Sequence, residues 1–186
     1  MRRGFKAFAE KKAIEIRKEL GLKPTEFLCV FKVCEHLKIP ILDIDKLGMD
    51  EKNLNNLQGE GKSLWSAATV PVGNGKYVIV HNKLNSLARQ QSDLMHEVAH
   101  IICEHKTENI EMIGDLAGLM RSYDQNQEDE AEWLGASLQL PRPALLWALK
   151  TKIGNDKICE IYSASKEMVN YRINITGVKN QVRYFR

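Results

Sequence analysis

Three residues in the stretch QQSDLMHEVAHIIC, residues 90–103, have the types and spacing of a hydrolytic metal centre: His96, Glu97 and His100. Residues four apart on an α-helix lie about 40° apart around the axis and one turn along it, so His96 and His100 present two imidazoles to one point. Such a pair is half of a zinc site. Glu97, next to the first His, stands beside the metal rather than on it, where a carboxylate takes the proton of a metal-bound water. Val98, Ala99, Ile101 and Ile102 are apolar, whereas Asp93, His96, Glu97, His100 and Glu104 are polar. That is the pattern of a helix buried on one side and lining a cleft on the other. The bland alternative for this H-E-x-x-H pattern is a surface helix whose His residues pair with nearby acids.

A catalytic zinc takes three protein ligands and keeps one position for water. The extended H-E-x-x-H-x-x-G-x-x-H signature requires Gly where Cys103 stands and His where Lys106 stands, so that branch is excluded, although His105 lies one residue away. Cys103 sits in an apolar IIC run and reads as a small buried residue. The strongest third-ligand candidate lies in QNQEDEAEWLGASLQLP, residues 125–141, which reads as a helix with acids at its positive end and a stop before Pro141. Glu128 and Glu132 there are four apart. One carboxylate could bind the metal while the other, one turn on, accepts a hydrogen bond from a ligand His. An acidic first turn is also what the helix dipole alone favours.

From SLARQQSDLMHEVAHIICEH through EDEAEWLGASLQLP, the chain resembles the ImmA/IrrE family of metallo-endopeptidases. In that family an Arg-containing helical turn precedes the active-site helix, and the third ligand comes from an E-x-x-A-N/D-x-F-A helix ending in a Leu-rich turn and Pro. Setting Ala131 on the family's Ala places Glu128 on the ligand Glu and Glu132 on the following Asn/Asp position. Leu134 stands where Phe is usual, and Leu138-Gln139-Leu140-Pro141 replaces a more apolar ending. The resemblance spans residues 25–175 and is strongest over the two motifs. It implies an α+β, zincin-like core with a small twisted sheet and the H-E-x-x-H helix. It implies a metal site of His96, His100 and Glu128 with Glu97 as catalytic base, Glu132 orienting a ligand His, and Zn²⁺ as the metal. Mn²⁺ accepts the same imidazole and carboxylate donors. It implies a protein partner, a helix-turn-helix transcriptional repressor of a mobile element or stress response, cut at a single site.

At 186 residues, with 44% hydrophobic and 27% charged residues, the chain fits one globular domain with a small appendage. A net charge of +3 is too small to argue for nucleic-acid binding by itself. Cys29, Cys34, Cys103 and Cys159 form no C-x-x-C pair and sit in apolar surroundings, which points to a reducing compartment. The basic start, MRRGFKAFAEKKAIEIRKELG, lacks the apolar core of a secretory signal, and no run approaches the ~18 apolar residues of a membrane span. These features together predict a cytoplasmic protein with no membrane partner. Oligomeric state is not encoded in any of these patterns.

The elements that must position the centre follow from periodicity. Phe5, Phe8, Ala9, Ile16 and Leu20 predict an amphipathic helix with its Lys and Arg residues around the rest of the surface. Pro24 and Thr25 open a second predicted helix carrying Phe27, Leu28, Val30, Phe31, Cys34 and Leu37, followed by a strand over Ile39–Ile44. Cys29, Cys34 and His36 lack a fourth partner at zinc spacing and read as core and surface residues. Residues 50–62 read as a loop, and 64–70 with 76–81 as a hairpin turning at Asn74-Gly75. If one of its strands is a sheet edge, an extended peptide could add to it by backbone pairing. Asn82, Asn85 and Ser86 offer caps for the motif helix. The long connection over 105–127 has the length of a lid; within it Arg121 and Tyr123, with His105, are candidates to stabilise an oxyanion.

Residues 1–141 are therefore expected to form the metallopeptidase domain, and 142–186 a small helical segment. In that segment Ile158, Ile161, Val169 and Ile173 around Ser163-Ala164-Ser165 have helix-turn-helix rhythm, with Lys166, Asn170 and Arg172 expected to point outward. This supports a rival: a DNA-binding or repressor-binding regulator that does not hydrolyse peptides. A purely structural zinc site is disfavoured, because such sites are closed by four protein ligands.

Overall fold

The computed structural model describes residues 1–44, 66–105 and 124–184. The predicted loop over 50–62, the first residues of the predicted hairpin, and Arg121 and Tyr123 lie outside the described residues. The remainder is α+β, with eight helices and a three-stranded sheet among the described residues.

Helix α1 (Phe5–Glu19) buries Phe5, Ala9, Ala13 and Ile16 on one face. Arg17, predicted to lie on the solvated face, is instead fully buried. Its guanidinium donates to the carbonyls of Ala13, Glu26, Leu138 and Gln139, so it satisfies backbone acceptors from three segments. Burial lowers its pKa to about 10.

The second helix, α2 (Val30–His36), starts later than predicted. The Gln91 side chain explains why, since its amide donates to the Leu28 carbonyl and its oxygen accepts from the Val30 N–H. After a turn at Lys23–Glu26, those two bonds tie residues 28 and 30 to the side chain of Gln91 and delay helical pairing until Val30.

Strand β1 (Ile41–Asp43) is parallel to β3 (Lys76–His81), and β2 (Ala67–Gly73) pairs antiparallel to β3, giving the order β1-β3-β2. The β2–β3 turn has positive φ at Asn74 and Gly75, the backbone that a two-residue hairpin loop requires. Both β1 and β2 are edges of the described sheet. Pro71, which cannot donate to a ladder, is compatible with the edge position of β2.

Helix α3 (Leu87–Ile102) carries the H-E-x-x-H pattern and is capped by the Ser86 hydroxyl, which accepts from the Arg89 N–H. Helix α4 (Gln125–Gln139) is capped by Asp124 and ends just before Pro141. Leu94, Met95, Val98 and Ala99 of α3 pack with Ala131, Leu134 and Leu138 of α4 in the main apolar cluster, which also takes in α1, α2 and Ile79.

A second cluster is built by α5 (Arg142–Lys150), α6 (Asn155–Tyr162), α7 (Lys166–Thr176) and α8 (Val178–Tyr184). Arg172, expected to project outward, is fully buried. It donates to the Leu140 carbonyl and pairs with Glu10 of α1. The turn before α7 has the anticipated Ser163 in the left-handed region and Ser165 as N-cap. Lys166 and Asn170 are exposed as expected, with Lys166 paired to Asp156 and the Asn170 side-chain oxygen accepting from Asn155. The rival thus loses its central cation, because Arg172 faces the core. No helix among the described residues is long and apolar enough to cross a membrane.

Candidate metal centre

The i, i+4 spacing on α3 and the first turn of α4 bring His96, His100 and Glu128 together. The two Nε2 atoms are 3.0 Å apart, Glu128 Oε2 lies 3.2 Å from His96 Nε2, and Glu128 Oε1 lies 3.4 Å from His100 Nε2. Around a tetrahedral zinc with ligands at about 2.0–2.1 Å, donor atoms are separated by about 3.3 Å. The three groups therefore fit the triangular face of such a site, with the neutral nitrogen and anionic oxygen donors that zinc accepts. His100 and Glu97 are buried, while His96 and Glu128 are partly exposed. The centre thus opens to solvent on the His96–Glu128 side.

Glu97 sits one residue along from His96, and the hydroxyl of Thr69 on β2 donates to its Oε2 at 2.6 Å. Thr69 is itself buried. Strand alternation points Thr69 at α3, but nothing in its local sequence marks it as the partner of this carboxylate.

Close approach of the two helices depends on Gly135. A Cβ there would lie 3.0 Å from the Met95 carbonyl oxygen and 3.1 Å from His96 Cα and N. Gly135 is two turns from Glu128 on the same face of α4, so the contact that admits His96 also sets the reach of Glu128. An isolated Gly inside a helical pattern was the available signal.

His105, the alternative third ligand and an oxyanion candidate, lies behind His100 rather than beside Glu128. Its Nδ1 is 3.0 Å from His100 Nδ1, and its Nε2 is 3.4 Å from Glu130 Oε2. Glu130 is held in turn by Arg2, whose backbone N–H and Nε reach Oε1 at 2.8 and 3.0 Å and whose Nη2 lies 2.9 Å from Oε2. Burial pushes the His105 pKa down, with Glu130 opposing. For Glu130, burial pushes upward, but the bonds from Arg2 and His105 more than offset it and its pKa is lowered.

Glu132, expected to orient a ligand His, is exposed and faces Tyr171, whose pKa is raised by burial and by that carboxylate. Residues two apart differ by about 200° around a helix, so Glu130 and Glu132 leave α4 on opposite sides. Burial raises the Cys103 pKa to about 11 and that of Cys34 to about 12, in keeping with apolar packing roles for both.

A peptidase family model described as the IrrE N-terminal-like domain matches residues 34–174, which contain both the α3 and the α4 motifs. No curated protein and no solved structure gives a significant match.

Proposed function

Because the chain belongs to the IrrE N-terminal-like family of peptidases, we propose that it is a zinc-dependent endopeptidase on a zincin-like core, with His96, His100 and Glu128 as metal ligands and Glu97 as general base. The observation that carries this is the triangle of three donor atoms at 3.0–3.4 Å with a buried carboxylate on the adjoining residue of the same helix. A zinc ion bound there supplies Lewis acidity and lowers the pKa of a coordinated water towards about 7. Mn²⁺ would be accepted by the same donors.

Glu97 accepts a proton from the attacking water and returns it to the leaving amine. Thr69 fixes the plane of that carboxylate by donating to Oε2. His96 and His100 keep their Nε2 atoms directed at the common point, and Glu128 would contribute one negative charge that partly offsets that of a dication. The substrate chain lies extended along the outer edge of β2, where backbone pairing holds it without reading every side chain. Support for that placement comes from β2 having only β3 as a described strand neighbour while packing through Thr69 on the motif helix.

The substrate is a protein, and the resemblance of the two motifs to repressor-cleaving peptidases favours a helix-turn-helix transcriptional repressor cut at one site. The test compares new protein N-termini in cells expressing the wild type or Glu97→Gln, with zinc content measured on both purified proteins. One or a few cleavage sites in a DNA-binding regulator, absent in the variant while its zinc content is kept, is the expected result. Identical N-terminal profiles from a zinc-loaded wild type and the variant would remove the peptidase assignment.

A further inference from the structure

The imidazole behind His100 has a placement that spacing rules do not supply. Helix α3 ends in a Schellman turn, in which the His105 N–H bonds the His100 carbonyl and the Glu104 N–H bonds that of Ile101. The residue that takes the left-handed conformation is Glu104, at φ 52°, where Gly is usual. In most such turns an apolar contact joins the two residues that close the larger ring. Here those residues are His100 and His105, with ring centroids 5.0 Å apart and planes at 75°. The turn thus folds one imidazole back onto another.

A neutral His105 gives each contact along the chain one donor and one acceptor. Glu130, bonded by Arg2 through its backbone N–H, Nε and Nη2, is a carboxylate that only accepts. His105 Nε2, 3.4 Å from it, therefore carries the hydrogen, which leaves the lone pair of a neutral ring on Nδ1. That lone pair lies 3.0 Å from His100 Nδ1, which must donate to it. With hydrogen on Nδ1, His100 has its lone pair on Nε2, the atom directed at His96 and Glu128. Each link sets the next. A ligand His normally has its free nitrogen fixed by a carboxylate, a carbonyl or water. In this chain a second imidazole is interposed, and the carboxylate stands one residue further back.

We propose that His105, Glu130 and Arg2 form a positioning relay that fixes the tautomer and ring orientation of His100 for metal binding, a role that rests on the assignment of His100 as a ligand. None of the three belongs to the donor cluster itself, which is His96, His100 and Glu128. His105 and Glu130 are only 9% and 4% exposed, so water does not readily replace either as a partner.

The experiment measures zinc affinity by competition with a chromophoric chelator for wild type, His105→Phe and Glu130→Gln, beside urea denaturation of each metal-free protein. Long-range ¹H–¹⁵N spectra of the imidazoles in the metal-free wild type report the His100 tautomer directly. Expected are an Nδ1–H tautomer at His100 and zinc binding about 10- to 100-fold weaker in His105→Phe. Glu130→Gln should show a smaller loss, with its denaturation midpoint shifted too little to account for it. Zinc bound by the wild type and by both variants with equal affinity, or an Nε2–H tautomer at His100, overturns the relay alone. Should His105→Phe not fold, Glu130→Gln and the wild-type tautomer decide. A wild type that takes up no zinc overturns the metal-site assignment, and the relay's role falls with it.

Discussion

Replacing Gly135 by Ala tests how the third carboxylate is held against the two imidazoles. The added Cβ lies 3.0 Å from the Met95 carbonyl oxygen and 3.1 Å from His96 Cα and N, whereas favourable carbon contacts begin near about 3.5 Å. All three atoms belong to the α3 backbone, so no side-chain rotation relieves the contact, and one helix must move by roughly 0.4–0.5 Å. Two terms compete. Ala gains about 1 kcal/mol over Gly in helix propensity, while overpacking costs about 1–3 kcal/mol. Since neither partner can yield cheaply, the second term wins, and the expected net loss is up to about 2 kcal/mol.

The same movement carries Glu128, two turns away on the same face, off the 3.2 Å separation it keeps from His96. Zinc affinity should fall by about tenfold or more. Urea denaturation of the metal-free protein reads the first effect, and chelator competition reads the second. An Ala variant more stable than wild type would mean that the propensity gain is unopposed and the helices are not in close approach. An Ala variant that loses stability but keeps full zinc affinity would mean that helix spacing does not set the ligand geometry. Either result refutes the reasoning.

Thr69→Val removes the hydroxyl that donates to Glu97 without changing side-chain shape, and a hydrogen bond to a charged group contributes about 1.5–3 kcal/mol. Peptide hydrolysis should drop while zinc affinity is unchanged, as read by cleavage rate and chelator competition on one preparation; parallel losses would place Thr69 in the fold alone. Arg172→Ala should cost about 2–3 kcal/mol in urea denaturation, because the Leu140 carbonyl loses its donor and Glu10 its cation, although the Arg142 N–H still holds Glu10 Oε2. Its affinity for duplex DNA, measured across a salt series, should match wild type, and a selective DNA-binding defect in a fully stable variant would reinstate the regulator reading. His81 is buried beside Asp43, Lys83 and Phe31; burial lowers its pKa below 6.5, with Asp43 opposing. The unfolded chain then takes up a proton that the folded one resists, so stability should decline as pH falls through 6.5 and level off below the folded pKa. Denaturation midpoints of wild type and His81→Gln at several pH values check this, and an unchanged acid limb in the variant would assign the slope to other groups.

The residues that local geometry governs were legible in the sequence. Helical periodicity alone places His96 and His100 on one face with Glu97 alongside, and Asn74-Gly75 specifies its hairpin, because both depend on φ/ψ preferences and spacing within a few residues. What lay beyond reach was every choice made by contact between distant segments. An acidic first turn offers several carboxylates, and only the rotation of α4 on α3, permitted by the missing side chain of Gly135, selects Glu128 for the cluster and Glu130 for His105 while turning Glu132 to solvent. Basic residues on an amphipathic pattern read as solvated, yet Arg17 and Arg172 are buried because unpaired carbonyls at the end of α4 and beside it need donors from α1 and α7. Spacing is a property of one helix, whereas pairing is a property of how two helices dock.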